Sequence, residues 1–459
     1  MLDHLMSPDG ELLCLDVGST WTKGALVSPS GELLGTAQHR TTPPEVLRGI
    51  EEVRTQLGAT GAAAMACSSA GGGLRLAVVG QERLISAEAG YRVALSAGAK
   101  VVHVAAGELD RAGVAELRAA RPDVVLLVGG TDGGDTRVLL HNAGRLARQR
   151  ITCPIVLAGN RDAREEAAEL LRATGRTVVV TDNVLPDVGE LAPGPAREAI
   201  RGVFLEHVIG GKRLSRRSWF RETVRTVTPD AVLTGVSRLA TVLARAGEDA
   251  GHGGGAVLVV DVGGATTDVY SAVPGADEQT GRHTVELPPD RRTVEGDLGM
   301  RWSAPGVVDE AVAERLVEDE EARALAAAAA HRAAQVDWVP DSTAETERDG
   351  RLAALAAIIA LRRHLRLVDG RLGPRGVGML VLSGGVFRHA PAEMLGAVES
   401  ALRADPVLRP VLRHARLVVD RRYVLAPAGL LVGAGVDAAA ENLLRTHLLE
   451  GAVVERATV

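Results

Sequence analysis

One block of sequence occurs twice in this chain, and that repeat limits the possible folds more than any other feature. LLCLDVGSTWTKGALV spans residues 12–27, and AVLVVDVGGATTDVYSA spans 256–272. Each reads as an apolar strand, an Asp-Val-Gly turn and a second strand. Aligning the copies pairs Asp16 with Asp261, Gly18 with Gly263, and Ser19-Thr20 with Gly264-Ala265, followed by Thr266-Thr267-Asp268. A glycine turn lets backbone N–H groups approach a phosphate closely, and neighbouring hydroxyls add donors. Either copy alone is an ordinary tight hairpin. Together they imply a duplication about a pseudo-two-fold axis, with two loops gripping one nucleotide's phosphates from opposite lobes.

The rest of the chain is consistent with two large units. The first copy continues through Ser28-Pro29-Ser30-Gly31 into ELLGTAQH, making a three-strand meander. A helical pattern runs from Pro44 to Leu57, then come a strand AAAMACS, a glycine loop Gly71–Gly73 and a helix through AEAGYRVALSAG. Beyond residue 100, the strands DVVLLVGG, PIVLAGN and TVVVTDN are apolar on both faces and alternate with helices, the pattern of a covered parallel sheet. We expect an inserted α/β unit at about 101–190, a first lobe over 1–254 and a second over 255–459, with Gly251–Gly255 at the boundary. The second lobe repeats strand, turn and strand, with HTVEL as a third strand. Helical regions at 309–335 and 352–367 precede the strand VGMLVLSGGVF and a final helical stretch.

Composition narrows the function. With 46% hydrophobic residues and a net charge of −6, the chain reads as globular and not as a nucleic-acid binder; only 2% of its residues are aromatic, so base-stacking platforms are scarce. Cys14, Cys67 and Cys153 lie apart inside apolar runs and read as reduced thiols of a cytoplasmic protein. No apolar run of membrane-spanning length and no leader pattern occurs. Of 52 basic residues only Lys23, Lys100 and Lys212 are lysine. A compact ammonium at position 23, beside the first loop, suits charge developing on a phosphate, against a plainer reading as a solvated strand lysine.

A third element completes the set. LVLSGGVFRHAP places Gly384-Gly385 after an apolar strand and before a helix. DVGST, DVGGATTDVY and LSGGV together resemble the first phosphate, second phosphate and adenosine motifs of the acetate and sugar kinase, Hsp70 and actin superfamily. The resemblance covers essentially the whole chain, with Ala265 where glycine is usual and Phe387 where a hydroxyl residue is usual. It implies an α/β, two-lobed actin-like ATPase fold of duplicated RNase H-like halves, with the parallel α/β unit inserted in the first lobe. It further implies ATP or ADP with Mg2+ held by Asp16 and Asp261 mainly through water. Gly18, Ser19, Thr20, Gly263, Gly264, Thr266 and Thr267 would contact phosphates, Gly384 and Gly385 the adenosine, and Lys23 would assist Asp16 and Asp261 in catalysis. For Thr267, plain strand propensity is nearly as good an account.

CSSAGGGLR, AGAKVVHVAAGEL, PDVVLLVGGTDGG, RTVEGDLGMRWSA and LSGGVFRH resemble a narrower family. This is the MutL-type accessory proteins of adenosylcobalamin-dependent glutamate mutase, unrelated to the mismatch-repair protein of that name. The resemblance implies a reactivating ATPase that opens a mutase by lobe closure. Its partners would be mutase subunits, not nucleic acid or membrane. No cobalamin site of its own is expected: in LEHVIGG, His207 and Gly210 lack the preceding aspartate, Leu205 standing there. A small-molecule kinase on the same fold and an actin-like polymer are the alternatives. GGTDGG at 129–134, the carboxylates Glu295 and Asp297, and the basic run 212–225 are secondary candidates, each equally readable as a turn or a solvated face.

Overall fold

The computed structural model describes residues 10–18, 20–42, 46–69, 74–82, 85–96, 99–149, 151–188, 190–203, 206, 223–249, 254–274, 290–368, 370, 372–373 and 375–450. In chain order the strands are β1 (Leu12–Val17), β2 (Trp21–Val27), β3 (Leu33–Arg40), β4 (Ala63–Ser68), β5 (Arg75–Gly80), β6 (Lys100–Ala106), β7 (Val124–Leu127) and β8 (Ile155–Leu157). They continue as β9 (Val178–Val180), β10 (Val224–Val227), β11 (Ala256–Val262), β12 (Thr267–Ala272), β13 (Asp290–Glu295), β14 (Val377–Ser383) and β15 (Arg416–Val419).

Three five-stranded sheets result, and two of them are topological copies. One has the order β10-β4-β1-β2-β3 and the other β15-β14-β11-β12-β13. In each, the first three strands form an antiparallel meander while the fourth lies parallel to the first and the fifth parallel to the fourth. The repeated hairpins therefore occupy the same place in two RNase H-like halves, and the chain has the two-lobed actin-like fold. The third sheet, β6-β5-β7-β8-β9, is wholly parallel and is inserted between β4 and β10. All four residues of β7 are fully buried, as expected of a strand covered on both faces.

The sheets differ from the sequence reading in detail. The inserted sheet takes in Arg75–Gly80, a strand the glycine trio before it concealed. The third strand of the second meander is Asp290–Glu295, whereas HTVEL and Gly71–Gly73 lie outside the described residues. Val224 and Arg225, at the end of the run read as a basic helix, open β10, and residues 207–222 are likewise outside.

Two helices, Thr228–Asp249 and Leu425–Gly433, cross between the two similar sheets. Their apolar faces share one core cluster with β1, β11 and β14, through Leu12, Cys14, Val257, Val259, Met379 and Val381. Glycine permits the crossing: a Cβ on Gly429 would lie 1.8 Å from the Ala231 carbonyl oxygen, and one on Gly235 would lie 2.1 Å from that of Leu425. Among the described residues no helix is long and apolar enough to cross a membrane.

Candidate functional site

The two glycine loops close in the same way. Gly18 N donates to Trp21 O at 3.0 Å, and Gly263 N donates to Thr266 O at 2.9 Å. A Cβ at Gly18 would approach that Trp21 oxygen to 2.7 Å, so the turn itself requires glycine. Each loop is braced by the chain that follows the third strand of its half. Thr41, just after β3, donates its hydroxyl to Gly18 O at 2.8 Å and its N–H to Thr20 O at 2.9 Å. In the other half, Met300 N and Arg301 N donate to Gly263 O and Gly264 O at 2.9 and 2.8 Å. The stretch RTVEGDLGMRWSA therefore positions the second loop.

Register places the charged groups. Asp16 lies opposite Lys23 on β2, and Asp261 lies opposite Asp268 on β12, so Lys23 and Asp268 are equivalent positions of opposite charge. Asp16 is buried and held by four side chains among the described residues, Cys67 Sγ donating to its Oδ1 at 3.6 Å. Thr228 Oγ1 donates to its Oδ1 at 2.5 Å, Tyr423 Oη donates to its Oδ2 at 2.9 Å, and Lys23 Nζ stands 4.0 Å from Oδ2. Asp268 is tied off by a 2.8 Å bond from Arg292 Nε.

Asp261 differs. Half-buried, its carboxylate accepts no side-chain hydrogen bond from any described residue. Burial pushes its pKa from 3.8 to about 6; Lys23 pulls it down, while Asp268, Asp16 and Asp420 push it up. The carboxylates of both lobes and the Lys23 ammonium are thus within electrostatic reach of one another. Between about pH 4 and 6 the folded chain holds a proton on Asp261 that the unfolded chain has released, so its contribution to stability is largest in acid and falls as pH rises through about 6. Asp261→Asn is therefore expected to raise stability by on the order of 1 kcal/mol at pH 7.5 and by about a third as much at pH 4.5, read by urea unfolding at both pH values.

Gly384-Gly385 has the strand, glycine pair and helix read from the sequence. Gly384 follows β14 with φ of 110° and caps the short helix Gly385–Arg388. A Cβ there would meet Val262 O at 2.2 Å, whereas Gly385 faces open space. Phe387 is fully buried, which explains the absence of a hydroxyl residue at that position.

The hydroxyls divide. Thr20 is exposed on the first loop, and the Thr266 hydroxyl on the second has, among the described residues, one partner, Asp268 Oδ2 at 3.4 Å. Thr267 is fully buried and donates to Leu298 O at 2.8 Å, so its hydroxyl is engaged inside the fold. Thr267→Val is expected to cost about 1–2 kcal/mol in unfolding free energy by orphaning that carbonyl, and to leave nucleotide affinity unchanged in a calorimetric titration. Ser19 lies outside the described residues, as does His207. Tyr423, Thr228 and Asp420 escaped the sequence reading, since nothing local to them marks a contact made hundreds of residues away. Of the secondary candidates, Asp132 in GGTDGG accepts from Asn183 Nδ2 and Arg161 N, both at 2.9 Å, and Glu295 accepts from Arg363 at 2.7 Å.

This architecture can be set beside known proteins. A family profile described as MutL protein matches residues 12–448. The chain belongs to the MutL protein family. The curated Protein MutL of Clostridium tetanomorphum is 34% identical over 446 residues, spanning 91% of this chain and 95% of its own length. Among solved structures, nucleotide-free acetone carboxylase is matched over 92% of this chain and 70% of that one, at 14% identity and a TM-score of 0.36. Component A of (R)-2-hydroxyglutaryl-CoA dehydratase from Acidaminococcus fermentans is matched over 94% and 97%, at 10% identity and a TM-score of 0.28. The fold rests on the duplicated strand order.

Proposed function

We propose that this MutL-family chain binds Mg-ATP across the cleft, hydrolyses it, and couples the reaction to lobe movement as a reactivating factor for an adenosylcobalamin-dependent glutamate mutase. The observation that carries the nucleotide reading is the pair of identically closed glycine loops, each braced from behind and each beside an aspartate. The backbone N–H of Gly264 and the hydroxyls of Thr20 and Thr266 are the phosphate donors, Gly18 and Gly263 spending their own N–H groups on closing the turns, and Gly384-Gly385 admits the adenosine. Lys23 faces the transferring phosphate, where its charge stabilises the transition state. Thr267 acts only by holding its strand.

The carboxylates suit a hydrated Mg2+. Asp261 has uncommitted oxygens in a site crowded by other carboxylates, and Mg2+ is generally held by one or two carboxylates while keeping several waters. Asp261 would be its main holder, with Asp16, already engaged by Thr228 and Tyr423, acting through water. Bound Mg2+ would neutralise phosphate charge. The link to a mutase rests on family resemblance, as does lobe closure as the source of mechanical work. The test is Mg2+-dependent phosphate release from ATP, with and without a glutamate mutase carrying inactivated cobalamin. Release that rises with the mutase supports the reading. Transfer of the γ-phosphate to a small acceptor would move the chain to the kinases, and absence of release would overturn hydrolysis.

A further inference from the structure

Tyr423 belongs to the second lobe, on the turn between β15 and the helix Leu425–Gly433, yet its side chain works on the first. Its phenol donates to Asp16 Oδ2 at 2.9 Å, and its ring lies under Lys23 Nζ at 3.5 Å from the ring centre. Lys23 Nζ is itself 4.0 Å from the same carboxylate oxygen, beyond hydrogen-bond range, so the ring is its nearest partner among the described residues. The turn is held hard. Asp420 accepts from Val424 N and Leu425 N at 2.9 and 3.3 Å, and Arg421 donates to the carbonyl of Arg388 in the adenosine-motif helix at 3.1 Å. Tyr423 has φ of 55°, a conformation costly for a bulky residue and kept only where surroundings enforce it.

We propose that Tyr423 is a positioning residue that carries the placement of the second lobe to Asp16 and Lys23, bringing these two groups into their working arrangement only when the lobes are docked. The proposal rests on the nucleotide-hydrolysing reading for its consequence, though not for its geometry. The hydroxyl fixes Asp16 and the ring aims the ammonium, a cation–π contact. With the lobes apart, both supports leave together.

Only three lysines occur in the chain, so reductive 13C-methylation gives signals from Lys23, Lys100, Lys212 and the α-amino group, with Lys23 assigned by its loss in Lys23→Arg. Without nucleotide, the Lys23 signal is expected upfield in the wild type and in Tyr423→Phe, through the ring current, and at an ordinary position in Tyr423→Leu. A wild-type signal unshifted both without nucleotide and with a saturating non-hydrolysable ATP analogue and Mg2+ would overturn the proposal whatever the chain does to ATP. In turnover, Tyr423→Phe is expected to lower kcat about tenfold with nucleotide Kd changed less than about twofold. Tyr423→Leu is expected to lose more, and Lys23→Ala added to it to lose little further. Fully additive losses, or nucleotide affinity falling in parallel with kcat, would overturn the positioning role. A wild type with the shifted signal but no ATP turnover would refute the hydrolytic reading alone.

Discussion

Replacing Asp261 with alanine is expected to lower Mg2+-dependent phosphate release about a hundred- to a thousandfold while leaving the fold intact or slightly more stable. These two effects seldom separate so cleanly. A buried carboxylate is usually bonded into its surroundings, and its removal orphans donors. Asp261 accepts no side-chain bond from the described residues, and burial together with three neighbouring carboxylates holds its pKa near 6, so its charge is a burden to the fold at neutral pH. Asp16 makes the contrast: losing it frees the Thr228 and Tyr423 hydroxyls and leaves Lys23 without its counter-charge, so Asp16→Ala is a poorer probe. Phosphate release and urea unfolding measured on the same Asp261→Ala preparation decide the matter. Turnover close to that of the wild type would mean that the metal is held elsewhere.

Gly429→Ala is expected to destabilise the chain by about 3 kcal/mol or more, while Gly433→Ala, the same change four residues on, is neutral or gains up to about 1 kcal/mol. At Gly429 the added methyl would sit 1.8 Å from a backbone oxygen of the opposing helix, which no side-chain rearrangement relieves. At Gly433 nothing lies within 4 Å, and alanine is the better helix former. Urea midpoints of the two variants measure the difference. Equal midpoints would show that the helices can move apart without loss, and that the crossing does not define how the lobes dock.

The parts legible in sequence were those fixed by short-range geometry. Gly18, Gly263 and Gly384 stand where a side chain would strike backbone, so their spacing from apolar strands announced the turns. Thr267 illustrates the limit. It lies one residue past the loop, and in a strand one step reverses the face, so adjacent threonines have opposite environments although their letters are the same. Tyr423 could not be found from its neighbours, because its meaning lies in Asp16 and Lys23 across the cleft.

The two halves share a strand order but not a charge pattern. Where one presents the ammonium of Lys23 to its own aspartate, the other presents Asp268, already neutralised by Arg292. Two-fold in backbone and lopsided in charge, the cleft has a built-in polarity. Each half brings an aspartate, but the Lys23 ammonium that stands beside Asp16 and within reach of Asp261 comes from one half alone. The repeat that built the two halves therefore cannot be exchanged half for half.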